Sequence, residues 1–444
     1  MLTASNERPL RWRRSSRLLD REPESIGRLL THPIQLQTCD VIESLLVRLR
    51  SLRSWDDYNQ FQRLLFTHVF EIQRALAEAT RNVKRLERGR PAREAPSGDW
   101  RVEQAVLDRA DRQLRSVGDA LAWRLFRFDR RVLLALSRNE RPGPMINKDG
   151  LERELGEVQS LWEREGVFAL LHDLTNSLRI ADVTRFNADG AFLVEVKKSA
   201  RVPAAQERRM RRAIDVIMSG APLPGPGGDS DLFISSVPFR TRLRDLGEGL
   251  AMARRDRVAA MRAGRQWVVT CTYLDEEMEE TDVEDVLRAA DSLRDRQFRR
   301  AEMHVARHHL RGLRPDRADA EPMVAPFTIY PFDPRTCALL VCDLLVYDSV
   351  MGWDRLEGAF ESAGFEVDCQ LPDRPEPATD STAPVLRATR GTRDAIIHWS
   401  GMSQMLGELV EPKAFARVVR EVIDAGGAFG SGMFTFANER AVWR

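Results

Sequence analysis

The chain has 444 residues, and its 68 lysines and arginines nearly balance 67 aspartates and glutamates, leaving a formal net charge of +1. That balance excludes a global basic field for capturing nucleic acid, so any such contact has to come from local patches. No apolar run reaches the ~18 residues that a membrane helix needs, and a 43% hydrophobic content can fill the cores of more than one domain.

The five cysteines, Cys39, Cys271, Cys337, Cys342 and Cys369, lack CxxC spacing. Buried structural thiols in a reducing cytoplasm are expected, not a disulfide framework or a zinc site. The first residues carry no apolar secretory core, and Arg11, Arg13 and Arg14 read as a loose basic arm. From about 20 to 140 the pattern is helical. Asp40 can cap a helix from Val41 to Arg50. A longer helix runs from Trp55 towards Glu87, with Phe61, Leu64, Leu65, Val69, Ile72 and Leu76 stepping along one core face. The breaker-rich stretch Gly89 to Gly98 follows, then helices over Val102 to Leu114 and Asp119 to Leu136. Trp123, Phe126 and Phe128 alternate with arginines; helix packing with the arginines outside is favoured over a basic-aromatic nucleic-acid surface.

Arg141-Pro142-Gly143-Pro144 halts any helix and closes an N-terminal helical domain over 1–143. The next helix, Asp149 to Glu165, ends at Gly166 and has the apolar stripe Leu151, Leu155, Val158, Leu161 and Trp162. Glu154 falls inside that stripe, whereas Glu152 and Glu163 point away. A carboxylate on a buried face needs a partner or a metal. In the apolar segment Val167 to Leu178, His172-Asp173 invites a metal-ligand reading, but no supporting set appears among the seven histidines. A capping or hydrogen-bonding role is expected for it.

Residues 179–198 read as a β-hairpin turning at Asn187-Ala188-Asp189-Gly190. Symmetric pairing about that turn sets Phe186 against Ala191, Thr184 against Leu193 and Asp182 against Glu195. The two-residue period adds Lys197 to the face of Asp182 and Glu195, with Val183, Val194 and Val196 on the other. Opposed carboxylates repel, and a hard divalent cation, Mg²⁺ (or Mn²⁺), would compensate them. Lys197 could then orient the attacking water or stabilise charge on a phosphodiester.

Asp182 followed by Glu195-Val196-Lys197 resembles the D…(D/E)xK signature of the PD-(D/E)xK phosphodiesterase superfamily, which includes restriction enzymes and RecB-like nucleases. The resemblance implies a restriction-endonuclease-like αβββαβ core, α/β (α+β) in class, with a central mixed sheet flanked by helices. It implies metal bound by Asp182, Glu195 and the Val196 carbonyl, and an additional acidic residue on the preceding helix, for which Glu154 is the first candidate and Glu157 the second. Ala181 replaces the nominal proline before Asp182. Gln206 is suitably placed as a RecB-like glutamine, but Met210 and Arg211 stand where its tyrosine partner would be, and the segment Val167 to Leu178 intervenes before Asp182. Only five of the 68 basic residues are lysine, namely Lys84, Lys148, Lys197, Lys198 and Lys413. A lysine where metal-site chemistry asks for one is therefore informative, because arginine does not substitute there. The bland reading is a surface hairpin with solvated charges.

A helix from Pro203 through Ile217 carries Arg201, Arg208, Arg209, Arg211 and Arg212 on its polar side, of which Arg201, Arg208, Arg209 and Arg212 are candidates for the nucleic-acid backbone. Ala221 to Ser230 lacks the Gly-Lys-Ser/Thr ending of a P-loop and reads as a linker. Leu232 to Val237 reads as a strand, Thr241 to Arg262 as a helix and Trp267 to Tyr273 as a strand, closing a nuclease domain over 144–275. A C-terminal mixed α/β region over 276–444 has no legible function. Its His304 and His308 lack the glutamate of a zinc peptidase. Helices are expected from Pro334 through Leu345, Trp353 to Ala363 and Pro412 to Ala425, with a strand at Phe365 to Cys369 and a polar linker from Pro372 to Pro384.

The expectation is a cytoplasmic, metal-dependent nuclease (a hydrolase) with nucleic acid as partner, DNA favoured over RNA. Bacterial defence or DNA repair is the setting that such an architecture suggests by analogy. A protein partner could dock on the N- or C-terminal region, and no membrane is involved. The alternatives are a catalytically inactive nuclease fold that binds nucleic acid, and a protein-interaction scaffold.

Overall fold

The computed structural model describes residues 29–444 except 138–141, 147, 149, 189, 197–203, 220–222, 226–227, 231, 275–277, 279, 302–308, 312–324, 369–383, 399–403, 427–432, 437 and 444. The basic arm, His304, His308 and Cys369 lie outside the described residues. The first helix, α1 (Pro33–Ser51), starts earlier than expected. Pro33 presets its first turn and the His32 ring accepts from the Ile34 N–H, so Asp40 is not its cap and pairs with Arg335 at 2.8 Å instead. α2 (Trp55–Glu87) has the expected bounds, fixed by a Ser54–Asp57 capping box, and buries Phe61, Leu65 and Val69.

α3 (Trp100–Leu125) runs straight through Gly118, where two helices were expected. Gly118 does not break the helix; it admits the Leu174 carbonyl, with which an added Cβ would collide. The break comes at Arg127 and Phe128, both at positive φ, before α4 (Arg130–Leu136). Trp123 and Phe126 are core residues, as the packing reading expected.

α5 (Leu151–Glu165) is closed by Gly166 at φ 63°. It precedes an antiparallel sheet of β1 (Phe168–Leu171), β2 (Val183–Asn187) and β3 (Gly190–Val194). The β2–β3 register is the symmetric one, with Val183 opposite Val194, Thr184 opposite Leu193 and Phe186 opposite Ala191. α6 (Ala204–Ser219) follows and packs on α4. The expected linker holds a small antiparallel pair, β4 (Leu223–Gly225) and β5 (Gly228–Ser230), before β6 (Leu232–Ser235).

α7 (Leu243–Asp256) ends at Arg257, φ 66°, short of Arg262. The remainder of the expected helix is β7 (Val258–Ala263), which pairs with β8 (Trp267–Tyr273). Cross-strand pairing there overrides local helix propensity. α8 (Glu280–Arg300) and β9 (His309–Arg311) come next, then α9 (Pro334–Val341), capped by Asp333. α9 stops short of Leu345 because Asp343 turns the chain at φ 54° into β10 (Leu345–Gly352), an interior strand of the antiparallel order β7-β8-β10-β9. α10 (Trp353–Ser362) leads to a further antiparallel sheet of β11 (Glu366–Asp368), β12 (Pro384–Arg390) and β13 (Arg393–His398), whose last two strands were not anticipated. α11 (Pro412–Asp424) and β14 (Met433–Phe436) follow, β14 pairing in parallel with β6.

The fold is thus mixed α+β, with helices around several small sheets. The order α5-β1-β2-β3-α6 begins as an αβββαβ unit would, but β4 and β5 come before β6, and β6 pairs with β14 and not with the β1–β3 sheet. One continuous apolar core joins Leu45 and Phe61 of the helices, Leu170 and Val183 of the hairpin sheet, Trp267 and Leu345 of the four-stranded sheet and Phe415 of α11. A buried ion cluster reinforces that junction. Arg130 donates to Glu408 at 2.9 Å and to Glu439 at 2.6 Å, and its guanidinium lies 5.2 Å from the Trp123 ring centroid. Burial pushes the Glu408 carboxyl up to about 7, against the pull of Arg130. Cys39, Cys271, Cys337 and Cys342 are buried free thiols, and no helix of the described residues is long and apolar enough to cross a membrane.

Candidate functional site: a carboxylate cluster on Lys148

Three elements deliver carboxylates to one ammonium group. Lys148 Nζ lies 2.8 Å from Glu154 of α5, 2.7 Å from Asp173 in the 3-10 turn after β1, and 4.0 Å from Asp182 at the entrance to β2. Glu154 is only 2% exposed, as its place in the apolar stripe required. Burial raises its carboxyl above the usual range, Lys148 opposes that, and the neighbouring Asp182 and Asp173 add to it. Burial also works against the Lys148 charge, but Asp173 and Glu154 outweigh it and hold the ammonium above its ordinary value.

Backbone contacts fix the positions. The Asp182 carbonyl accepts from the His172 N–H at 3.0 Å, its N–H donates to the Val194 carbonyl at 3.2 Å, and its Oδ2 accepts from the Val196 N–H at 2.9 Å. Asp182 is thereby pinned between the end of β1 and the end of β3. Ala181 stands at φ 69°, a conformation closed to proline, whose ring fixes φ near −65°. A proline would not fit at this position.

Arg115, fully buried in α3 and paired with Asp111 at 3.2 Å, donates to the Asp173 carbonyl at 2.5 Å and to the Gly143 carbonyl at 3.1 Å. One side chain therefore braces both the turn carrying Asp173 and the segment leading to Lys148. Gln73 adds to this by accepting from the Met145 N–H at 2.7 Å. The close approach at Gly118 presses α3 onto the same turn. His172 is buried and hydrogen-bonds Thr184 at 2.7 Å, the role expected for it, and burial lowers its ring to about 4, so it is neutral at physiological pH.

Glu195 directly follows the last residue of β3, so the expected Asp182–Glu195 pair lies beyond the ladder, and both Glu195 carboxylate oxygens are sealed from solvent. Val196 is half-buried and engages Asp182 through its N–H. Lys197 and Arg201 lie outside the described residues. Gln206 is half-buried in the first turn of α6, Arg208 and Arg209 are exposed, and Arg212 is half-buried. Gln206, Arg208 and Arg209 make no hydrogen bond or ion pair among the described residues.

The structure thus brings Asp182 and Glu154 together, and adds Lys148 and Asp173, which sequence reasoning had not assigned to the site. The rarity of lysine in this chain was a signal that could have found Lys148. Among the described residues, no group of three or more histidine, cysteine, aspartate or glutamate side chains is arranged to hold a metal ion. The carboxylates here gather on the ammonium instead. Comparison with known proteins gives no match to a family model, to a curated protein or to a solved structure.

Proposed function

We propose that the chain is a metal-dependent nuclease of the restriction-endonuclease-like type, hydrolysing phosphodiester bonds at the Asp182 end of the hairpin. The observation that carries this reading is the meeting of Glu154 and Asp182 on Lys148. A solvated hairpin has no reason to recruit a 2%-exposed glutamate from another element. The hard oxygen donors Asp182, Glu195 and Glu154 with the Val196 carbonyl suit Mg²⁺ or Mn²⁺, and such an ion would supply charge neutralisation and an activated water. Lys148 carries the neutralising charge in the present arrangement, and its release from the carboxylates would free an ammonium for the substrate phosphate. Lys197 orients the water, and Arg208, Arg209 and Arg212 hold the nucleic-acid backbone.

A second reading is favoured by one specific feature. Lys148 already occupies the centre of the cluster and offsets part of its charge, which suits a nuclease fold that binds nucleic acid without cutting it. Incubation with linear, circular, single-stranded and RNA substrates in Mg²⁺ or Mn²⁺, alongside calorimetric titration of the metal, separates the two. Cleavage abolished by Asp182→Ala supports the nuclease; nucleic-acid binding that survives this substitution, with no cleavage and no metal uptake by the native chain, supports the silent module and sinks the enzyme.

A further inference from the structure

A cavity of about 470 Å³ opens between α11, α10 and the end of β6, lined by none of the carboxylate-cluster residues. Lys413, Arg417 and Arg420 line it from one face of α11, at the i, i+4 and i+7 spacing that stacks side chains along a helix. Like charges so placed repel. Some helix-borne arginines of this chain relieve that by pairing with an acid three or four residues away, as Arg211 does with Glu207 and Arg288 with Asp285. Lys413, Arg417 and Arg420 have no acidic partner among the described residues.

The one carboxylate in the lining among the described residues, Glu421, is committed elsewhere. It accepts from Ser235 Oγ at 2.7 Å, from the Ser236 N–H at 3.0 Å and from Ser236 Oγ at 2.5 Å. Burial disfavours its charge, but those hydrogen bonds outweigh it and keep Glu421 ionised. Three cations against one carboxylate leave +2 in the cavity. The mouth also lies at the carboxyl end of β6, which runs parallel to β14, the end of a parallel strand pair where open α/β sheets take their ligands.

We propose that this cavity binds a small phosphate-bearing molecule of about nucleoside-diphosphate size, its phosphates held by Lys413, Arg417 and Arg420. The charge matches a diphosphate, and the volume lies within the roughly 300–1,000 Å³ of small-ligand sites. Nothing in the proposal depends on the nuclease reading. Calorimetry and thermal unfolding of the full chain with inorganic pyrophosphate, and separately with ADP, test it. Saturable binding and a raised midpoint are expected, with affinity falling at least ~10-fold in Arg417→Ala/Arg420→Ala, a change at exposed positions that spares the core. Tighter binding of ADP than of pyrophosphate would assign the nucleoside part to the cavity, and equal binding would confine recognition to phosphate. Absence of binding to either probe, or binding unchanged in the double variant, overturns the proposal.

Discussion

Replacing Lys148 by methionine keeps most of the side chain's length and removes its charge, leaving Glu154, Asp173 and Asp182 gathered on nothing. At an effective dielectric near 20, a unit charge pair at about 2.8 Å attracts by roughly 6 kcal/mol and one at 4.0 Å by about 4 kcal/mol. Those bare terms are reduced by desolvation and by the 32% exposure of Lys148, which admits screening. Exposed pairs contribute about 1 kcal/mol or less, and orphaning a buried charge costs about 3–5 kcal/mol. Glu154 is deeply buried and Lys148 is not, so a loss of about 2 kcal/mol in urea unfolding is expected. Proton uptake by Glu154 should accompany it, because its carboxyl, already raised, loses the cation that opposes the shift. Mn²⁺ should restore stability in the variant, by about 2.7 kcal/mol at one hundred times its Kd, and should bind it more tightly than it binds the native chain. Unchanged urea midpoints for Lys148→Met, with and without Mn²⁺, would refute the reasoning and return the hairpin to a solvated charge cluster.

Arg130→Met strands Glu408 and Glu439 in the core and should lower stability by about 3–5 kcal/mol, a large share of a typical domain's total; a midpoint near that of the native chain would mean that the two acids protonate without cost. Glu408 has its folded pKa raised from 4.5 to about 7, so its contribution is present below pH 4.5 and is lost as the pH rises through about 7. The stability difference between the native chain and Glu408→Gln should therefore change across that window and be flat above it, as followed by denaturant unfolding at stepped pH. Gly118→Ala would set a Cβ 2.7 Å from the Leu174 carbonyl carbon, backbone against backbone. It should cost about 3 kcal/mol, and hydrogen exchange should quicken in the 172–178 turn that presents Asp173.

Much of the site's framework was legible because it is local. The Asn187 to Gly190 turn sets the hairpin register, and the turn is readable from composition. Glu154 was legible because a helical period says which face is buried. Lys148 and Asp173 were not, because they meet through Arg115 and Gly118 on a helix distant in sequence, and no periodicity encodes that meeting. The same limit explains the overrun helices. The expected helices run on into Val258 to Arg262 and to Leu345, but those residues find strand partners in β8, and sheet pairing decides their state. The break expected between Leu114 and Asp119 is absent, because the glycine there, Gly118, serves a close approach to the Leu174 carbonyl, which lies elsewhere in the chain.

The most direct test of the central claim is cleavage of a mixed DNA and RNA panel in Mg²⁺ by the native chain, by Asp182→Ala and by Lys197→Ala. The account predicts metal-dependent cleavage by the native chain that both substitutions abolish. Cleavage undiminished in the two variants, or a native chain that neither cuts nor takes up the metal, would contradict it.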